Sequence, residues 1–264
     1  MTADGDDGTD IEPAHPAATV MLVRDAVASG GAGLEVFMLR RTTEAAFGAG
    51  MYVFPGGRVD EADGGSHIEA WCTGLDDEHA SSALGVERGG LAYWVAAVRE
   101  CFEEAGLLLA RRRDGAAVAL PLADRRAVHA GQLSMEELCR RHDLVLDLGA
   151  ISYVSHWVTP RRAGRRFDTR FFVARTPQDQ AGAHDESETV ESRWVHPSDA
   201  IAMATAGTLV MMPPTIANLR FLEPWTTADE ALAAAAAIER PRRIEPILRY
   251  DSTGHVIGVD IPSR

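Results

Sequence analysis

The sequence contains no lysine, so all 26 of its basic residues are arginine. A phosphate clamp must therefore be built from arginine, which is always charged and can grip two oxygens at once, or from backbone N–H groups. A biased genomic composition accounts for this as well as for the wealth of alanine. Positive charge is scarce overall. The net charge is −13, which disfavours non-specific binding to nucleic acid or to an anionic membrane. Cysteine is scarce too. Cys72, Cys101 and Cys139 are odd in number and scattered, with no C-x-x-C, which argues against a disulfide framework or a zinc site and points to a reducing compartment. No run approaches the roughly 20 apolar residues that a membrane span needs. Met1 to Glu12 is acidic and lacks the apolar core of a signal peptide. The expectation is a cytoplasmic protein with neither nucleic acid nor membrane as a partner. At 264 residues and 46% hydrophobic content, the chain fits one domain with extensions or two small ones.

What the chain does have is a cluster of carboxylates. Arg99-Glu100-Cys101-Phe102-Glu103-Glu104-Ala105-Gly106-Leu107 reads as the end of a helix covering Leu91 to Ala105. At helical spacing Glu100, Glu103 and Glu104 share one face, while Trp94, Val98, Cys101 and Ala105 form an apolar stripe opposite. Bunched carboxylates repel one another, and a hard divalent cation with a preference for oxygen offsets that repulsion. Arg99 lies one helical turn before Glu103 and can pair with it. Gly106 suits a left-handed C-cap. A solvated acidic helix face would look much the same in isolation.

A second element lies upstream. Phe54-Pro55-Gly56-Gly57-Arg58-Val59-Asp60 is a tight Gly-rich turn after the short strand Met51 to Phe54. Together the two segments resemble the halves of the Nudix box, G-x5-E-x7-R-E-U-x-E-E-x-G-U, where U is a bulky aliphatic residue. Counted from Gly57, the first glutamate position falls on Asp63, and the stretch Gly64 to Val98 replaces the seven residues of the family pattern. An insertion, placed at Gly64 to Gly90, splits the box. This split form resembles the peroxisomal coenzyme A diphosphatase branch of the Nudix hydrolases and its bacterial relatives.

The resemblance implies an α/β fold: a Nudix-type α/β/α sandwich with a mixed β-sheet. It implies Mg²⁺ or Mn²⁺ held by Glu100, Glu103, Glu104 and the backbone carbonyl of Gly57, with Arg99 as a positioning residue. Nudix enzymes commonly place another carboxylate before a Trp-aliphatic strand. Glu188, with Glu186 in reserve, occupies that place ahead of Trp194-Val195, and the general base is Glu100 or Glu188. Two basic spots resemble the same branch: Arg40-Arg41-Thr42, and the segment around Arg166-Phe167-Asp168-Thr169-Arg170. Arg40, Arg41, Arg166 and Arg170 are accordingly expected to bind substrate, while Arg161 and Arg162 read as a solvated loop. The implied activity is hydrolysis of a small nucleoside diphosphate derivative. Coenzyme A or acyl-coenzyme A comes first, giving 3′,5′-ADP and a phosphopantetheine product. ADP-ribose, NADH, a dinucleoside polyphosphate, or a non-catalytic nucleotide sensor are the alternatives.

Along the rest of the chain, residues 1–14 read as a disordered acidic tail, 15–225 as the Nudix domain, and 226–264 as an extension or homodimer contact. Strands are expected at Ala17 to Val23 and Leu34 to Arg40, paired as a hairpin. A second strand pair covers Ile151 to Thr159 and Phe167 to Ala174. Leu144 to Leu148 reads as a linker. The insertion, with a helical hint from Glu78 to Leu84, is either a lid or decoration. Helices are expected at Asp124 to Ala130, Ser134 to His142, Pro197 to Ala206, after Pro213-Pro214, and from Thr227 to Ile238, followed by a terminal hairpin (Ile244 to Tyr250, His255 to Ile261).

Overall fold

The computed structural model describes residues 12–26, 33–44, 48–65, 67–161, 163–180, 182–185 and 188–262. Most of the expected acidic tail, the turn after Ala26, Glu186 and Arg162 lie outside the described residues.

In chain order the elements begin with strands β1 (His15–Asp25), β2 (Leu34–Arg41), β3 (Tyr52–Val53), β4 (Gly56–Arg58) and β5 (Cys72–Thr73). Helices α1 (Asp77–Leu84) and α2 (Leu91–Ala105) follow, then β6 (Ala110–Arg112), α3 (Leu122–His129), α4 (Met135–His142) and β7 (Leu144–Asp147). The chain continues through β8 (Ile151–Val158), β9 (Phe167–Arg175), β10 (Thr189–Val195), α5 (Pro197–Thr205), α6 (Pro213–Leu222) and α7 (Ala228–Ala236). It closes on β11 (Arg243–Ile244), β12 (Ile247–Tyr250) and β13 (Val256–Asp260).

The central strands are apolar on both faces, as a strand covered on both sides must be. In β1, Ala18, Val20 and Leu22 face one core while Met21 and Val23 face the other; β9 divides Phe172 and Ala174 from Phe171 and Val173 in the same way. The main sheet runs β10-β2-β1-β9-β8-β11. β1 pairs with β2 and β9 with β8 antiparallel, as expected, but β1 and β9 run parallel. Helix α2 covers one core; residues of α5, α6 and α7 fill the other. This is the α/β/α sandwich with a mixed sheet that the box motif implied.

Three expectations change. Leu144 to Leu148 is not a linker: Leu144–Asp147 is β7, the middle of a separate three-stranded sheet with β5 and β6. Its partners are short and distant in sequence, so no local pattern announces it. The insertion, expected as lid or decoration, is partly built into the core. Ile68, Ala80 and Leu84 are buried in the α2 core, α1 carries the helical hint, and none of its described residues lines the cleft described below. The stretch from 226 is not wholly an extension. Thr227 caps α7 in a full capping box, and Ala228, Ala231 and Ala235 pack into the second core. Only β12 and β13 stand apart, as their own two-stranded sheet.

One end of the main sheet is opened by the Gly-rich turn. β1 pairs with β2 only from Val23 to Asp25; nearer its start β4 takes that place, with Ala18 opposite Gly57. β3 pairs with the end of β2, at Leu39 and Arg40. The turn is thus wedged between diverging strands, over the C-terminal half of α2.

Candidate active site

The close approach of that turn to α2 depends on glycine. A Cβ on Gly57 would stand 2.4 Å from Glu100 Oε1, and one on Gly56 would stand 2.5 Å from the Ala18 carbonyl oxygen. The Gly56 N–H donates to Glu104 Oε2 at 3.0 Å. Gly106 ends the helix in the left-handed region at φ 68°, as expected.

The acidic face of α2 is not solvated. Glu103 and Glu104 are buried, as is Arg99. The Arg99 guanidinium holds the site together. Its Nε and Nη2 donate to the two oxygens of Asp63 at 2.8 and 2.9 Å, Nη1 donates to Glu100 at 2.9 Å and Glu103 at 3.1 Å, and Nη2 also reaches the Arg58 carbonyl at 2.8 Å. Asp63, the aspartate at the glutamate position of the box, is 1% exposed. The inserted residues leave and return without disturbing the pair, so both halves of the split box meet at Arg99.

The carboxylates outnumber their counter-charges, and burial dominates their titration. Desolvation, with the charge of Glu103 nearby, pushes Glu100 up to about 8. Desolvation and then repulsion from Glu100 push Glu104 well above the usual carboxylate range. Burial also raises Asp63 and Glu103, against the pull of Arg99.

The three glutamates do not converge on one point. Glu103 is turned to Arg99 and to His129, whose Nδ1 lies 3.6 Å from it, and among the described residues no group of three or more His, Cys, Asp or Glu stands ready as a metal cage. Glu100 and Glu104 do fit a hard cation. They are oxygen donors in a water-poor site, charged only at a cost, beside a glycine backbone that leaves room for a ligand.

These groups form one end of a cleft of about 690 Å³, within the usual range for small-molecule sites. Arg41 lines it, with Nη1 3.9 Å from Glu104 and Nη2 3.7 Å from the half-exposed Glu188. The Arg41 Nε is buried and has no hydrogen-bond acceptor among the described residues. Trp157, Phe167, Phe171, Pro246, Leu248 and Val259 give the cleft an apolar lining as well, together with Arg165, while Met212 lies with Arg41 against Gly48.

The remaining expected substrate contacts lie elsewhere. Arg40 is exposed on β2 and does not line the cleft. Arg166 is buried and spends its donors on the Thr159 and Glu12 carbonyls and on Glu245 at 2.8 Å. Arg170 alternates to the far face of β9, where it meets Asp168, His156 and the ring of Tyr93. Strand alternation decides this: Phe167, Thr169 and Phe171 face the cleft, so Arg170 cannot. Sequence reasoning missed His129 and Thr19, and it treated Arg165 only as part of a basic spot; all three line the cleft. Only alternation with Phe167 hinted at Arg165, and nothing local marks His129.

A buried carboxylate pair beside a glycine turn, an arginine network and an adjoining cleft make up the arrangement expected of the Nudix class. A model of the NUDT19 Nudix domain matches residues 76–222, and the chain belongs to that family. The acyl-coenzyme A diphosphatase NUDT19 of Homo sapiens is 30% identical over 196 residues, 68% of this chain and 52% of that protein. The Gallus gallus protein of the same name is 32% identical over 155 residues, 50% of this chain and 40% of that one. The chain thus spans about half the length of these relatives, or less. A crystal structure of a Nudix hydrolase from Alicyclobacillus acidocaldarius superposes with a TM-score of 0.70 at 26% identity, covering 84% of this chain and 96% of that one. Nudix hydrolases generally use divalent metal ions.

Proposed function

We propose that this chain hydrolyses the diphosphate of coenzyme A or an acyl-coenzyme A to 3′,5′-ADP and the corresponding phosphopantetheine, with Mg²⁺ or Mn²⁺ as cofactor. The observation that carries the reading is one cleft whose lining joins Glu100, Glu104 and Arg41 to an apolar set from β8, β9 and the C-terminal strand pair. An acyl-coenzyme A has the same two parts: a charged diphosphate, and an amide-bearing arm that ends in a hydrocarbon chain. The names of the two NUDT19 relatives support it.

Glu100 and Glu104, with the Gly57 backbone, would hold the cation, which neutralises diphosphate oxygens and acidifies a water. Arg99 fixes the direction of Glu100 and Glu103. Arg41 keeps Glu104 and Glu188 in place, and its Nε, which has no acceptor among the described residues, is offered to a phosphate oxygen, a charge-assisted bond that also orients the substrate. Glu188, half exposed at the rim, takes the proton of the attacking water as general base. The water oxygen joins one phosphorus while the bridging oxygen leaves with the other.

A product-resolved turnover panel with Mg²⁺ and Mn²⁺ tests the reading. It compares coenzyme A, an acyl-coenzyme A, ADP-ribose, NADH and a dinucleoside polyphosphate. Release of 3′,5′-ADP, fastest by a wide margin, is expected. Preference for ADP-ribose or NADH would discard the coenzyme A reading and keep the chemistry. Tight binding of a nucleotide without turnover of any would make the protein a sensor.

A further inference from the structure

We propose that the C-terminal strand pair β12–β13 reads the acyl end of the substrate. This rests on the coenzyme A reading and adds which part of the substrate lies where. Strands β4, β1, β9 and β8 are successive neighbours, and each sends residues into the cleft: Gly57 from β4, Thr19 from β1, Thr169 and Phe171 from β9, Trp157 from β8. The register runs across from Arg58, the neighbour of Gly57, to Ala17, Thr169 and Trp157. Three strand steps of ~4.8 Å place Trp157 roughly 14 Å from the glycine turn.

The arm of coenzyme A between diphosphate and sulfur has about twelve bonds, as many as roughly four peptide residues, and extended it spans roughly 14 Å. With the diphosphate at Gly57 and Glu100, the sulfur reaches Trp157. Ile244 pairs with Trp157, and the residues that follow bring Pro246, Leu248 and the 40% exposed Val259 to line the cleft. Leu248 and Val259 stand directly opposite each other in the strand pair and so share its cleft-facing side. The pair contributes no charged side chain to the cleft, so it has nothing with which to grip a nucleotide; its chemistry suits hydrocarbon.

The root of the pair is fixed at Glu245, which accepts from Arg166 at 2.8 Å and lies 2.9 Å from Arg243, while β11 pairs with β8. Arg166, expected to touch substrate, is instead a positioning residue for this wall.

The test uses the full chain with Mg²⁺ and reads the ratio of kcat/KM for octanoyl-coenzyme A to that for coenzyme A. Combining Leu248→Ala with Val259→Ala is expected to lower the ratio roughly tenfold, as loss of apolar contact with the chain would. Leu248→Trp, which fills the same end, is expected to shift preference toward shorter acyl groups. Thermal melts establish that both variants are folded. A ratio within twofold of wild type in both folded variants overturns the assignment while leaving the coenzyme A reading intact. Wild-type protein that cleaves neither thiol nor thioester form, yet cleaves another nucleoside diphosphate derivative, overturns both.

Discussion

Two buried charge clusters lie in this sandwich, one at the cleft and one on the far face of the sheet. Each centres on an arginine. Around Arg99 stand Asp63, Glu100 and Glu103, with Glu104 beside Glu100, so acid is in excess. Around Arg170 stand Asp168 and His156, and the charges can balance. The titration of the carboxylates differs accordingly. Burial acts against Asp168, but the hydrogen bond from His156 and the charge of Arg170 bring it below its ordinary value. Glu100 and Glu104 are pushed upward. A cluster that lowers its acid has its carboxylate charge matched by its own residues, although the buried Arg170 Nε has no acceptor among the described residues. One that raises its acids holds more negative charge than its own residues offset, and such a site is a candidate for chemistry.

The largest effect that would break this comparison is on turnover. Glu104→Gln keeps the shape and removes one charge from the surplus. It is expected to lower kcat/KM by about 10³-fold or more, since it removes several kcal/mol of charge stabilisation at the reacting diphosphate. The melting temperature should hold or rise, because repulsion from Glu100 is relieved. Steady-state kinetics paired with calorimetry read both, and near-wild-type turnover would sink the assignment of Glu104.

Next in size is the loss of each arginine. Arg99→Met strands Asp63, 1% exposed, without its counter-charge, and about 3–5 kcal/mol of stability should go with it. Arg170→Met leaves Asp168 with the His156 bond and more solvent, so a smaller loss is expected, with kcat/KM of the folded protein unchanged. Urea unfolding and kinetics on the two variants check this. A large fall in turnover for folded Arg170→Met would return that residue to the substrate site.

The smallest effect is in pH dependence, where the clusters should slope in opposite directions. A carboxyl raised by folding stabilises below its unfolded value, and that stability is lost as pH rises through the folded one. With metal chelated, Glu100 therefore lowers stability between its ordinary 4.5 and about 8, and added Mg²⁺ should flatten that decline. Asp168 is lowered from 3.8, so its contribution is present above that value and lost as pH falls below it. Melting temperatures from pH 3 to 9, with chelator and with Mg²⁺, would show both limbs; no metal-sensitive decline on the alkaline side would mean that the carboxylate excess is not where a cation binds.

The sequence by itself determined the elements whose signals are local. The helix that carries Arg99, Glu100, Glu103 and Glu104 was legible from apolar spacing and the terminal glycine, and the P-G-G turn from the need for close backbone approach. The strand pairs β1–β2 and β8–β9, and the capping box of α7, were also there to be read. Tertiary structure alone decided what those residues face. That Asp63 rejoins Arg99 across the insertion depends on packing of Ile68, Ala80 and Leu84 beneath α2, a contact between distant segments. That Arg170 turns away from the cleft while Arg165 lines it, that His129 meets Glu103, and that the last strand pair lends Leu248 and Val259 to the cleft all depend on register and on neighbours far away in the chain. Spacing along one segment sets which side chains share a face; only the partner strand or helix sets whether that face looks onto core, solvent or substrate.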